Sequence, residues 1–216
     1  GQQQMGWETN EQWDARNGGG SVFRSIDAGG STGGSTANMS DATNILINLL
    51  RDDKSLGNFS NKEFEQNGWH IIDATSIKDA LEKLASYLGS RLADNIYINS
   101  HGLLSDSYVY DQNGQLLPDP NGMGINGYLV TPTSGFRAGD DSILGGDIKQ
   151  YLSNKSVLSK EVISNVESFI GIAKYVKEGK NLIIGGCSSA RYDDFGIGIS
   201  SIVKSIDVFV NKDLTT

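Results

Sequence analysis

One stretch of this chain constrains the fold more than any other: a twelve-residue amphipathic segment held between two short apolar runs. Ile77, Ala80, Leu81, Leu84, Ala85 and Leu88 recur at three- and four-residue intervals, so they share one face of a helix. Ser76 and Asp79 supply a capping-box-like start, and Gly89 closes the far end. Trp69 to Asp73 lies before this segment and Asn95 to Asn99 after it, each short and apolar enough for a buried strand. A strand, a helix and a second strand in that order favour parallel pairing with the helix laid across the sheet.

The rest of the chain extends the pattern. Residues 1 to about 20 are polar with Trp7 and Trp13 as large apolar groups, and Gly18-Gly19-Gly20 ends them. This segment is expected to be an arm or linker docking through its tryptophans. Val22 to Ile26 is a short strand candidate, and Ala28 to Ser35 a flexible Gly, Ser and Thr loop. Ser40 is placed to cap a helix in which Ala42, Ile45, Leu46, Leu49 and Leu50 share a face. From Leu103 to Ser142 the rhythm breaks. Asp111-Gln112-Asn113-Gly114 signals a hairpin, and Gly127 to Thr131 a further strand. Gly139-Asp140-Asp141 precedes a short helix around Asp147 to Leu152. A helix is predicted from about Ser159 to Lys177, ended by Gly179. A strand at Leu182 to Gly185, a helix near Phe195 to Lys204 and a strand at Asp207 to Val210 follow. The fold class is α/β: a three-layer α/β/α sandwich with a mainly parallel sheet and a β-hairpin insertion. The arm is residues 1–20 and the α/β domain residues 21–216.

Composition narrows the function. Eighteen basic residues against 26 acidic ones leave a net charge of −8, which argues against a nucleic-acid surface. No run approaches the roughly 18 apolar residues of a membrane-spanning helix. A single cysteine excludes an internal disulfide and a multi-cysteine zinc site. No metal site or cofactor is expected. Asp111, Asn113 and the stretch from Asp119 to Asn121 have calcium-ligand chemistry, but turn chemistry explains them as well. The glycines at 29, 30, 33 and 34 do not spell a dinucleotide fingerprint. Arg191 follows Cys187 too closely for a cysteine-phosphatase loop. His70, inside a strand beside Trp69, is read as structural.

The lone thiol, Cys187, follows the apolar run Asn181-Leu182-Ile183-Ile184 through Gly185-Gly186. The run Asn95-Ile96-Tyr97-Ile98-Asn99 ends in Ser100-His101-Gly102. A thiol and an imidazole thus each lie just past a strand's C-terminal end, where active sites of open α/β sheets gather. A thiol is a weak nucleophile until a nearby base takes its proton, and the same imidazole then serves as the acid for the leaving group. Gly102 allows close approach of a substrate backbone, and its amide can face a developing oxyanion together with that of Cys187.

An apolar strand ending in Ser-His-Gly, then a later one ending in a small residue and Cys, resembles the caspase-like (clan CD) cysteine peptidases, which include caspases, legumains, gingipains, clostripain and separases. The order of His before Cys and the helical crossover between them match, over roughly residues 20 to 212. The resemblance implies a caspase-like fold and a cysteine endopeptidase with His101 as general base, Cys187 as nucleophile, and the Gly102 and Cys187 amides as oxyanion donors. Ser100, Ser188, Asp193 and Asp194 are candidate substrate-binding residues. Clostripain-like members carry an Asp two residues before the nucleophile to select a basic side chain; here that position is Gly185. The expected partner is a protein or peptide substrate, with no nucleic acid and no membrane span. A secreted or cell-surface bacterial location is favoured, and the arm suits a connector within a larger chain. The alternative is a catalytically inactive caspase-like binding or scaffold module.

Overall fold

The computed structural model describes residues 42–50, 61–186 and 189–211. The arm, the strand candidate at Val22–Ile26 and the cap at Ser40 lie outside them, as do Cys187 and Ser188.

Five strands form a wholly parallel sheet: β1 (Asn44–Asn48), β2 (His70–Asp73), β3 (Ala93–Asn99), β7 (Val176–Ile184) and β8 (Asp207–Val210), in the order β2-β1-β3-β7-β8. A second sheet of three antiparallel strands inserts between β3 and β7. It consists of β4 (Gly102–Tyr108), β5 (Val130–Ala138) and β6 (Asp141–Leu144). The helices are α1 (Lys62–Gln66), α2 (Ile77–Leu88), α3 (Gly145–Ser153), α4 (Lys160–Ala173) and α5 (Asp193–Ile202). The protein is therefore α/β with a mostly parallel main sheet, as its sequence pattern predicts.

Alternation along the strands decides which layer each side chain joins. Ile45 and Ile47 of β1, Ile96 and Ile98 of β3, Leu182 and Ile184 of β7, and Val208 and Val210 of β8 face one core. Into it pack Leu84 of α2, Ile148 of α3, Phe169 of α4 and Phe195 of α5. The antiparallel sheet joins the same core through Phe136, whose ring meets Phe169 edge-on at 5.7 Å and Phe195 at 6.1 Å. On the opposite face, Phe64 of α1 stacks edge-on against Tyr97 of β3 at 5.3 Å.

Helix α2 has the predicted bounds. Ser76 Oγ accepts from the Asp79 amide at 3.0 Å, and Gly89 terminates the helix with φ +58°. Three expectations are corrected. The helix expected across Ala42 to Leu50 is the strand β1. Its residues Ile45, Leu46 and Ile47 are all fully buried, Leu46 on the face opposite its neighbours, which a helix with one apolar stripe does not require. The helix expected to run from Ser159 to Lys177 stops at Ala173, because the chain re-enters the sheet at Val176, paired with Ala93. Gly179 does not end that helix. It lies inside β7 with φ +73°, where pairing to β3 shifts register between Ala93 and Asn95. The 102–144 insertion also holds more strand than the sequence pattern predicts, in β4 and β6.

Candidate active site

Strands β3 and β7 are direct neighbours, so the two apolar runs end side by side. Their pairing holds a constant offset from Asn95↔Asn181 through Ile98↔Ile184, and the Gly185 amide donates to the Ile98 carbonyl at 2.9 Å. Beyond this, Gly186 lies against the turn that carries the histidine. A Cβ added at Gly186 would stand 3.0 Å from Gly102 N and 3.2 Å from both Gly102 Cα and the His101 carbonyl carbon. A side chain there would crowd main chain more tightly than ordinary van der Waals contact, so glycine suits that approach.

His101 is half-buried, and its carbonyl accepts from the Arg137 amide at 2.8 Å, which pins the turn to β5. That bond makes Gly102↔Phe136 a non-hydrogen-bonded pair of the β4–β5 ladder. The Gly102 N–H consequently points away from β5. Ser100 is 5% exposed, and its Oγ has no hydrogen-bond partner among the described residues. Downstream, the Ala190 amide donates to the Asn211 carbonyl at 2.9 Å, which ties the chain after residue 188 to the end of β8. Ser100, His101, Gly102 and Gly186 therefore meet at one end of the sheet. Cys187 and Ser188 lie outside the described residues.

Asp193 and Asp194 lie in the first turn of α5. Asp193 is exposed. Asp194 takes bonds from Thr133 and from the Phe195 and Ser134 amides, yet burial dominates and raises its pKa. Thr133 pairs with Ser105, three residues along β4 from Gly102, or about 10 Å of extended strand. Asp194 thus sits beside the second sheet, two to three residues along β4 from Gly102, with Asp193 exposed next to it.

Several contributing residues were not legible in advance. A buried amide row crosses the same end of the sheet: Asn99 Nδ2 donates to Asn48 Oδ1 at 3.2 Å, and Asn48 Nδ2 to Asp73 Oδ1 at 3.0 Å. It locks β3, β1 and β2 in register beneath the histidine turn. Tyr97 occupies the space above Gly185, where an added Cβ would meet Cε1 at 2.7 Å and Cζ at 2.8 Å. That ring leaves no room at position 185 for the aspartate of clostripain-like peptidases. Asp147, in the first turn of α3, is pushed up to about 6 by burial and then by the charge of Asp194. His70 stacks face to face on Tyr87 at 3.5 Å, in accord with a structural role. Asp111 Oδ1 accepts from the Asn113 and Gln115 amides and Asp119 Oδ1 from Asn121, so turn chemistry employs both carboxylates. Among the described residues no group of three His, Cys, Asp or Glu is placed to hold a metal ion, and no helix is long and apolar enough to cross a membrane.

Compared with protein-family models, curated proteins and solved structures, the chain has no match.

Proposed function

We propose that this chain is a caspase-like cysteine endopeptidase in which His101 and Cys187 act as a dyad. The observation that carries the reading is the β3–β7 pairing. Its constant offset, carried three residues past Ile98↔Ile184, would bring position 187 opposite His101. The contact of Gly186 with Gly102 keeps the two backbones together beyond the last paired residues. The three-layer arrangement and the caspase-like identity of the fold belong to this proposal, as does a peptide or protein substrate.

In this mechanism the His101 imidazole removes the thiol proton, and the thiolate attacks the scissile carbonyl carbon. The tetrahedral oxyanion takes hydrogen bonds from the Gly102 and Cys187 amides. The imidazolium returns its proton to the departing amine as the C–N bond breaks. Water, deprotonated by the same imidazole, then cleaves the thioester and releases the acid and the free thiol. Ser100 and Ser188 flank the dyad as candidates for the substrate backbone.

The test is a peptide-library digest. Discrete cleavages by the wild-type chain that vanish in Cys187→Ala and in His101→Ala, with both variants still folded, support the proposal. A digest indistinguishable from Cys187→Ala favours the inactive binding module.

A further inference from the structure

A pocket of about 320 Å³ opens between β4, β5 and α3. It is distinct from the strand-end cluster, since Ser107 on its wall is five residues along β4 from Gly102, or about 17 Å of strand. Its size falls at the small end of ligand-binding cavities.

The chemistry of its lining is uneven. Tyr108 and Tyr110 supply aromatic surface, and Tyr108 is braced edge-on by Tyr128 at 6.5 Å. Asp194 and Asp111 bring carboxylates, against the single ammonium of Lys149. One Asp194 oxygen, Oδ1, is shut off from solvent with no hydrogen-bond partner among the described residues. It is turned toward Gly145, where an added Cβ would lie 2.6 Å from it, so the rest of the Asp194 carboxylate is what lines the pocket. Asp147 stands close enough behind for the two carboxyls to feel each other. Lys149 forms no salt bridge with them among the described residues and is exposed.

We infer that this pocket binds an organic cation, an alkylammonium or guanidinium group, with Asp194 as counter-charge and Tyr108 and Tyr110 as walls. Carboxylate and aromatic faces together are the surface that attracts such groups. A bare metal ion is a poorer fit, because among the described residues no third His, Cys, Asp or Glu is placed with the two acids to hold one. The inference does not depend on the dyad. The cation belongs either to a free amine or to a Lys or Arg side chain of a bound peptide.

Burial raises both Asp147 and Asp194, and a cation in the pocket beside Asp194 relieves the unfavourable negative charge there. The groups facing the pair are Asp111, Tyr108, Tyr110 and Lys149. Asp147, behind Asp194, is raised to about 6, so the negative charge at the back of the pocket grows as pH rises through that value and binding tightens with it.

The experiment is calorimetric titration of the full chain carrying Cys187→Ser, so that no peptide is consumed whichever way the dyad reading falls. The probes are agmatine and a blocked peptide with one central arginine among alanines; butyrate is the control. Binding of agmatine, of the peptide or of both, at least tenfold weaker in Asp194→Asn and tighter at pH 7.5 than at pH 5, supports the site. The better probe tells which source supplies the cation. Lys149→Gln, at an exposed position, removes the pocket's own cation and tightens binding several-fold, which keeps the test intact where Asp194→Asn fails to fold. No binding of either probe at millimolar concentration, equal binding of butyrate, or affinity unchanged by both substitutions would overturn the inference.

Discussion

Two glycines before the thiol answer to two different neighbours. Gly185 makes room for the Tyr97 ring, and Gly186 makes room for the Gly102 backbone. An added Cβ at 185 forces a packed aromatic off its position, which costs roughly 1–3 kcal/mol. Gly185→Ala is therefore expected to lower the urea midpoint, and Tyr97→Leu in the same chain to recover part of the loss. An unchanged midpoint in the single variant would refute the close contact. At 186 the obstacle is main chain, which gives less easily. His101 and Cys187 drew attention in the sequence because each follows an apolar run. The two acids after the thiol did not sort themselves by sequence: Asp193 and Asp194 are adjacent, yet only Asp194 turns inward, and that depends on where Thr133 and Gly145 come to lie.

Elements that carry their own punctuation were the readable ones. Helix α2 has its cap, its stripe and its terminal glycine within fourteen residues, all local. Ser76→Ala removes the hydroxyl that accepts from the Asp79 amide and should cost about 1 kcal/mol, read as a shift in denaturation midpoint. Over strand β1 the sequence pattern predicts a helix, because Ile45, Leu46, Leu49 and Leu50 satisfy helical spacing by accident. A better signal was present: Asn44-Ile45-Leu46-Ile47-Asn48 repeats the pattern Asn95-Ile96-Tyr97-Ile98-Asn99 of β3. The asparagines pair across the strands, Asn95 Nδ2 to Asn44 Oδ1 at 2.8 Å and Asn99 Nδ2 to Asn48 Oδ1 at 3.2 Å. Such a match marks neighbouring strands rather than a helix. The facing starts of α3 and α5 give a further prediction. Asp147 has a folded pKa near 6 against an ordinary 3.8. The folded state thus holds a proton that the unfolded chain releases. The associated stability is complete below pH 3.8 and is lost as pH rises through 6. Asp147→Asn should remove that dependence and leave the protein about 2 kcal/mol more stable than wild type at pH 8, with allowance for partial exposure. Equal denaturation midpoints for the two at pH 8 would contradict the assignment.

At the scale of the molecule, the alternation of apolar runs and amphipathic helices was enough to anticipate a mainly parallel sheet. It did not determine strand order. Adjacency of β3 and β7 follows from long-range pairing across an insertion of more than seventy residues, in which β4, β5 and β6 attach to the core through Phe136. That adjacency is what the dyad requires. With one cysteine in the chain, every thiol signal reports on position 187. The most direct measurement is the rate of Cys187 alkylation by iodoacetamide in the folded protein, followed from pH 5 to 10, in wild type and His101→Ala. The account predicts a reactive thiolate in wild type well below the ordinary cysteine pKa of about 8.5, and a return to that value in the variant. A thiol that titrates alike in both, or that is unreactive until the protein unfolds, would contradict it.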